Sequence, residues 1–251
     1  MYQQTAIADF VYPIDACIIN NEAKTQKSLF ASTGFLYRLG CDFYFITTLS
    51  TVLGREVPTG EFKLKSKLSP TTLKTNLSIY EDDLVHIKRR AHPILINIYD
   101  DDLNPLFYIH PKLKKEVDLA VFPIRANGID LVALNDFDTK QETNSQTICL
   151  AGYPLYPQQN EDKTKPVFQE KKITQIGKNI FTIEDIDRIG MYGAAVFEAF
   201  NDPSERSFSF LGVYSGLSPI PSLNAQKKSF VWKKSFISEI IDAKYTESSF
   251  D

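Results

Sequence analysis

Short runs of β-branched and aromatic residues, each closed by turn residues, recur along this chain and leave little room for helices. They fall at 16–20, 33–37, 43–47, 93–98, 119–124, 147–152, 179–183, 195–197 and 210–214. Residues of this kind suit a pleated, half-buried surface, and the Gly, Pro, Asn and Asp between them supply turns. Before residue 230 no long stretch carries a clear 3.6-residue period; 69–78 fits either period. Many short strands with few helices predict an all-β barrel or sandwich. A chain of 251 residues, 43% hydrophobic and 12% aromatic, has the material for a sizeable core.

The pattern changes at the end. Trp232, Phe236 and Ile240, with Ile237 and Ile241, fall at spacings of three and four, and Lys233, Lys234, Glu239 and Asp242 fill the opposite face. That spacing predicts an amphipathic helix over 231–244. The stretch 135–146 is polar and rich in Asp, Thr, Asn and Gln, and reads as a linker between β-rich lobes at 10–125 and 147–230 of a single domain.

Composition narrows the function. The formal charge is −3 with both signs interspersed, so nucleic acid is not an expected partner. The basic runs, Lys112-Leu113-Lys114-Lys115 and Lys227-Lys228, are short enough to be solvated faces. No apolar run approaches the ~18 residues of a membrane span. No basic segment leads into an apolar one at the start, and the expected compartment is the cytoplasm. Cys17, Cys41 and Cys149 are odd in number and widely spaced, which predicts buried free thiols. His86, His92 and His110 show no ligand spacing, so neither a metal nor a cofactor is expected.

Four local motifs, in order, carry a resemblance to a known family. Ser32-Thr33-Gly34-Phe35-Leu36-Tyr37 is similar to the Gly-Ser/Thr-Gly-Phe strand that opens bacterial trypsin-like domains. Phe45-Ile46-Thr47-Thr48-Leu49-Ser50-Thr51-Val52 resembles the strand and turn bearing the catalytic histidine, whose position falls on Ser50. Val117-Asp118-Leu119-Ala120-Val121-Phe122 resembles the strand whose aspartate orients that histidine, retained as Asp118. Gly190-Met191-Tyr192-Gly193-Ala194-Ala195-Val196-Phe197 is similar to the Gly-Asp-Ser-Gly-Gly-Pro turn, with Tyr192 in the nucleophile position. Between and after these, His110-Pro111, Gly152-Tyr153-Pro154 and Leu211-Gly212-Val213-Tyr214-Ser215-Gly216 match further family features. The chain thus resembles a trypsin-like serine protease of the bacterial branch. The resemblance implies an all-β, chymotrypsin-like double β-barrel with a C-terminal helix.

The departures bear on chemistry. Acyl transfer needs a hydroxyl nucleophile, a base in reach and donors for the oxyanion. A serine hydroxyl at Ser50 is too weak a base, and the phenol at Tyr192 is bulky and ordinarily ionises near pH ~10. Met191 stands where zymogen-activated relatives keep an aspartate. The resemblance therefore implies a degenerate triad (Ser50, Asp118, Tyr192), a vestigial oxyanion turn (Gly190, Met191, Tyr192, Gly193) and a retained peptide-cleft strand (Tyr214, Ser215, Gly216). The expected role is a catalytically inactive homologue that binds a protein or peptide ligand. The alternatives are a hydrolase with a reassembled site and a structural subunit of a bacterial assembly.

Overall fold

The computed structural model describes residues 7–20, 24–56, 67–83, 86–125, 130–138, 146–155, 165–184, 190–199, 208–217 and 228–247. The first half contributes β1 (Val11–Asn20), β2 (Thr25–Leu39), β3 (Asp42–Thr47), helix α1 (Leu49–Leu53), β4 (Thr72–Asp83), β5 (His86–Asn97) and β6 (Ala120–Ile124). These strands form one six-stranded sheet in the order β5-β4-β1-β2-β3-β6. The second half contributes β7 (Thr147–Gly152), β8 (Val167–Ile176), β9 (Ile180–Glu184), β10 (Ala195–Glu198), β11 (Phe210–Leu217) and β12 (Lys228–Lys233). These close into a barrel in the order β10-β11-β12-β9-β8-β7. Helix α2 (Ser235–Ala243) follows. The protein is all-β with the chymotrypsin fold.

Alternation along the strands sorts side chains into separate cores. On β2 and β3, Leu36 and Phe45 enter the interior of the first sheet with Ile14, Leu73 and Phe122. Phe35, Tyr37, Tyr44 and Ile46 face the other way and meet Ala195, Phe210 and Val213 of the second barrel. The Phe35 and Phe210 rings join the halves edge to face, 5.4 Å apart. Strands buried on both faces cannot alternate apolar with polar, which is why this part of the sequence reads as an unbroken apolar run. A third core, with Leu150, Met191, Val196 and Val231, fills the barrel.

Two elements differ from the sequence reading and one ambiguity is resolved. Trp232 is not on the terminal helix: it sits on β12, opposite Ile180 and Val213. Its spacing from Phe236 mimics a helical period because strand and helix abut, and the two rings meet at 5.4 Å. The ambiguous stretch 69–78 enters a strand, β4, paired along its length with β5. Strand β8 went unread because Gln169, Glu170, Lys171 and Lys172 mask it.

The described part of the 135–146 linker is tied down. Leu134–Phe137 forms a 3₁₀ turn whose Asn135 exchanges bonds with the Arg38 backbone at 2.8 and 2.7 Å. Asp138 receives Lys234 Nζ at 2.8 Å.

The thiols are not all buried: Cys41 is exposed. It follows Gly40, whose φ of +63° makes the tight β2–β3 turn. Cys17 and Cys149 are buried. Burial first, then the Asp15 charge, raises the Cys17 thiol above its usual range. Burial and the Glu170 charge push Cys149 up to about 12. A raised pKa keeps both as neutral, unreactive thiols. An aromatic disulfide reagent at neutral pH is expected to titrate Cys41 rapidly and the other two only on unfolding; fast reaction of all three would contradict this.

Candidate active site

Asp118, just before β6, is the centre of a buried polar knot. One oxygen, Oδ1, accepts the Ser50 backbone N–H at 2.6 Å. The other, Oδ2, accepts the Ser50 hydroxyl at 3.1 Å and the Ser215 hydroxyl at 2.7 Å. Ser50 comes from α1 and Ser215 from β11, so the carboxylate ties the first sheet to the second barrel. Relative exposures of 0% for Ser50, 5% for Asp118 and 4% for Ser215 make this a buried cluster. A carboxylate buried this way persists because neutral donors satisfy it.

Behind Ser50 runs a line of hydroxyls. Thr48 Oγ1 lies 2.7 Å from Thr51 Oγ1, which lies 2.7 Å from Ser32 Oγ. Ser32 donates to the Tyr192 carbonyl at 2.7 Å. A carbonyl can only accept, so it fixes the direction of the line: Ser32 accepts from Thr51, and Thr51 from Thr48. The hydroxyls next to Ser50 are thus all hydrogen-bonded within the fold.

The turn at 190–193 keeps its glycine geometry, with φ of +98° at Gly190 and +82° at Gly193. Ala194 N–H closes it onto Met191 O at 2.9 Å. Gly193 N–H donates to Tyr214 O at 2.8 Å, and Thr33 N–H to Tyr192 O at 2.9 Å. Thr33 Oγ1 donates to Gly190 O at 2.9 Å and accepts Tyr153 N–H at 2.9 Å. Met191 is fully buried in the barrel core with Ala194 and Tyr214. The turn is therefore anchored by an apolar side chain.

Tyr192 is half-buried, and its ring lies on the backbone of Gly216. A Cβ placed on Gly216 would stand 2.0 Å from Tyr192 Cε1. The ring also stacks beside Tyr214, centroids 6.2 Å apart at 26°. It thus lies against two residues of β11, Tyr214 and Gly216.

The structure brings together Ser50, Asp118 and Ser215 in one cluster, and Gly190, Met191, Tyr192, Gly193, Tyr214 and Gly216 in an adjoining one. The motif order marked every one of these except the Asp118–Ser215 bond, which links residues too far apart in sequence to be read. His110 belongs elsewhere. Its Nδ1 accepts the Lys112 and Leu113 amides at 3.2 and 3.0 Å, and its Nε2 meets Glu239 Oε2 at 3.2 Å. It stands at 5.3 Å from Phe236, tying a 3₁₀ turn to α2. His92 is exposed, and the His86 side chain lies outside the described residues.

The architecture is that of the trypsin-like serine proteases. A thermostable serine protease, AL20, from an extremophilic microorganism is similar over 95% of this chain and 98% of its own, with 11% identity and a TM-score of 0.50. A Glu endopeptidase matches over 94% of this chain and 91% of its own, at 15% identity and a TM-score of 0.49. A scabies mite inactivated protease paralogue matches over 96% and 95%, at 12% identity and 0.47. The sequence matches no protein-family model and no curated protein.

Proposed function

We propose that the protein is a non-hydrolytic member of the trypsin-like fold, a pseudoprotease that works as a protein- or peptide-binding module. The observation that carries this reading is the pair of substitutions in their packed setting. Ser50, in the base position, is wholly buried against Asp118. Tyr192, in the nucleophile position, lies across Gly216.

Neither residue can take the lost role. A hydroxyl does not accept a proton near neutral pH and return it to a leaving amine. Ser50 cannot serve as a substitute nucleophile, because no substrate carbonyl reaches a side chain with 0% exposure. A phenol aimed onto a neighbouring strand does not present its oxygen to a scissile bond held along that strand. Loss of triad members leaves only about 10³–10⁴-fold acceleration over water, which is negligible for a peptide bond.

A panel of peptide and activated-ester substrates tests the reading. Turnover is expected to stay at the buffer rate for the wild type. A measurable rate that falls in both Tyr192→Phe and Asp118→Asn would replace this proposal with a reassembled hydrolase.

A further inference from the structure

The second barrel closes on itself, whereas the strand order of the first sheet has two ends, β5 and β6. A groove of about 480 Å³ lies between them. Its walls are Ile94, Leu95, Ile96 and Asn97 of β5, and Phe122, Pro123 and Ile124 of β6 with the following Arg125; Leu106 also lines it. Leu95 and Leu106 are 58% and 42% exposed and line the same groove, so the exposed apolar surface is contiguous.

The ladders show which backbone groups look into this seam. Val121 exchanges both its bonds with Tyr108, at 3.0 and 2.8 Å, on the side away from β3. By alternation, the Pro123 carbonyl points the same way, and the strand ends at Ile124. On the other wall, the Ile98 amide bonds Thr71 at 3.0 Å, toward β4. Ile98 lies past the end of β5 and gives its carbonyl to the Leu106 amide at 2.9 Å; within the strand, Pro93 opposite Asn76 has no N–H for β4 and marks 93, 95 and 97 as the outward positions, so the backbone groups of Leu95 and Asn97 face the seam. None of the described residues pairs with them. Beyond the Tyr108–Val121 pair, two strand edges stand opposite each other across an apolar gap.

We propose that this seam binds an extended peptide segment of a partner protein as an added strand, apolar at alternate positions and acidic at the end that reaches Arg125. This rests on the non-hydrolytic reading and names where such a module would bind: not along β11, against which Tyr192 lies. Apolar walls with one cation at the end match an apolar peptide carrying a carboxylate, and facing backbone edges match a chain with its own amides to offer. A fatty acid would fill the apolar part and meet Arg125, but would leave both edges unpaired. Pro93 and Pro123 fall at outward-facing positions of β5 and β6 and carry no N–H, so the added strand pairs with β6 only through the Pro123 carbonyl and with β5 through Leu95 and Asn97. A second copy of this chain seated in the seam would appear as a dimer in size exclusion and would overturn the proposal.

The test uses the full chain and a phage-displayed library of random octapeptides, followed by fluorescence anisotropy with the selected synthetic peptides. The expected consensus alternates apolar residues and ends in Asp or Glu. Binding is expected to fall by about tenfold or more in both Leu95→Arg and Arg125→Glu, exposed sites whose change leaves the fold intact. It should also vanish when alternate peptide amides are N-methylated, and should be unchanged in Tyr192→Ala. Peptides that ignore Leu95→Arg and Arg125→Glu but respond to Tyr192→Ala would place the ligand in the old cleft, overturning the seam while sparing the non-hydrolytic reading. Binding of dodecanoate with no peptide selected would overturn it in favour of a lipid pocket, and no binding of either would overturn it outright. Cleavage of a selected peptide would instead overturn the functional reading.

Discussion

Gly193→Ala is expected to be among the most damaging single substitutions in this protein, lowering stability by about 3 kcal/mol or more. The new methyl would stand 2.1 Å from the Thr33 carbonyl oxygen and 2.9 Å from Thr47 Oγ1. Neither can retreat easily. Thr33 O accepts the Thr47 hydroxyl at 2.8 Å, and Thr33 N–H holds Tyr192 O at 2.9 Å. The φ of +82° adds strain for any side chain. Since Thr33 is on β2 and Gly193 leads into β10, the clash falls where the two halves are joined. Gly40→Ala is the control. Gly40 has a similar φ of +63° with nothing within 4 Å of the added carbon, so it should cost only about 1 kcal/mol. Denaturant midpoints compared at equal m-value measure both. Equal losses would mean that strain alone matters and that the contact with Thr33 does not.

Asp118→Ala is the second large effect, expected to cost about 3–5 kcal/mol. Removing the carboxylate leaves the Ser50 amide and the Ser215 hydroxyl without their acceptor in a buried site, while the Ser50 hydroxyl keeps only Thr48 Oγ1 at 3.3 Å. Asp118→Asn should cost distinctly less. Its amide oxygen can keep the Ser50 N–H, and both hydroxyls can rotate to accept from its NH₂. The ordering Ala worse than Asn is the signature of a carboxylate kept for structure. Were Asp118 maintained only to orient a reacting group, both variants would unfold near the wild-type midpoint.

The positions of Ser50, Asp118 and Tyr192 were legible because the motifs around them are local: strands and turns whose residues pack or bend within a few positions. The β2 and β3 strands were legible for the same reason, as runs buried on both faces. What the sequence hid is what depends on the second half meeting the first. Ser215 reaches Asp118 across 97 positions, and no local pattern announces it. The direction of the Tyr192 ring depends on Gly216, which has no side chain to exclude it. Charged residues on an exposed face hid β8, and a coincidence of spacing carried Trp232 onto the wrong element. The open seam between β5 and β6 follows from strand order, which no composition reveals.

In the proposed pseudoprotease Tyr192 lies across Gly216 and Ser50 is fully buried, so no side chain at either position meets an acylating reagent. The most direct measurement is the intact mass of the wild-type protein after prolonged exposure to excess fluorophosphonate. The mass is expected to stay unchanged. A stoichiometric adduct, on Tyr192 or on any serine, would contradict it.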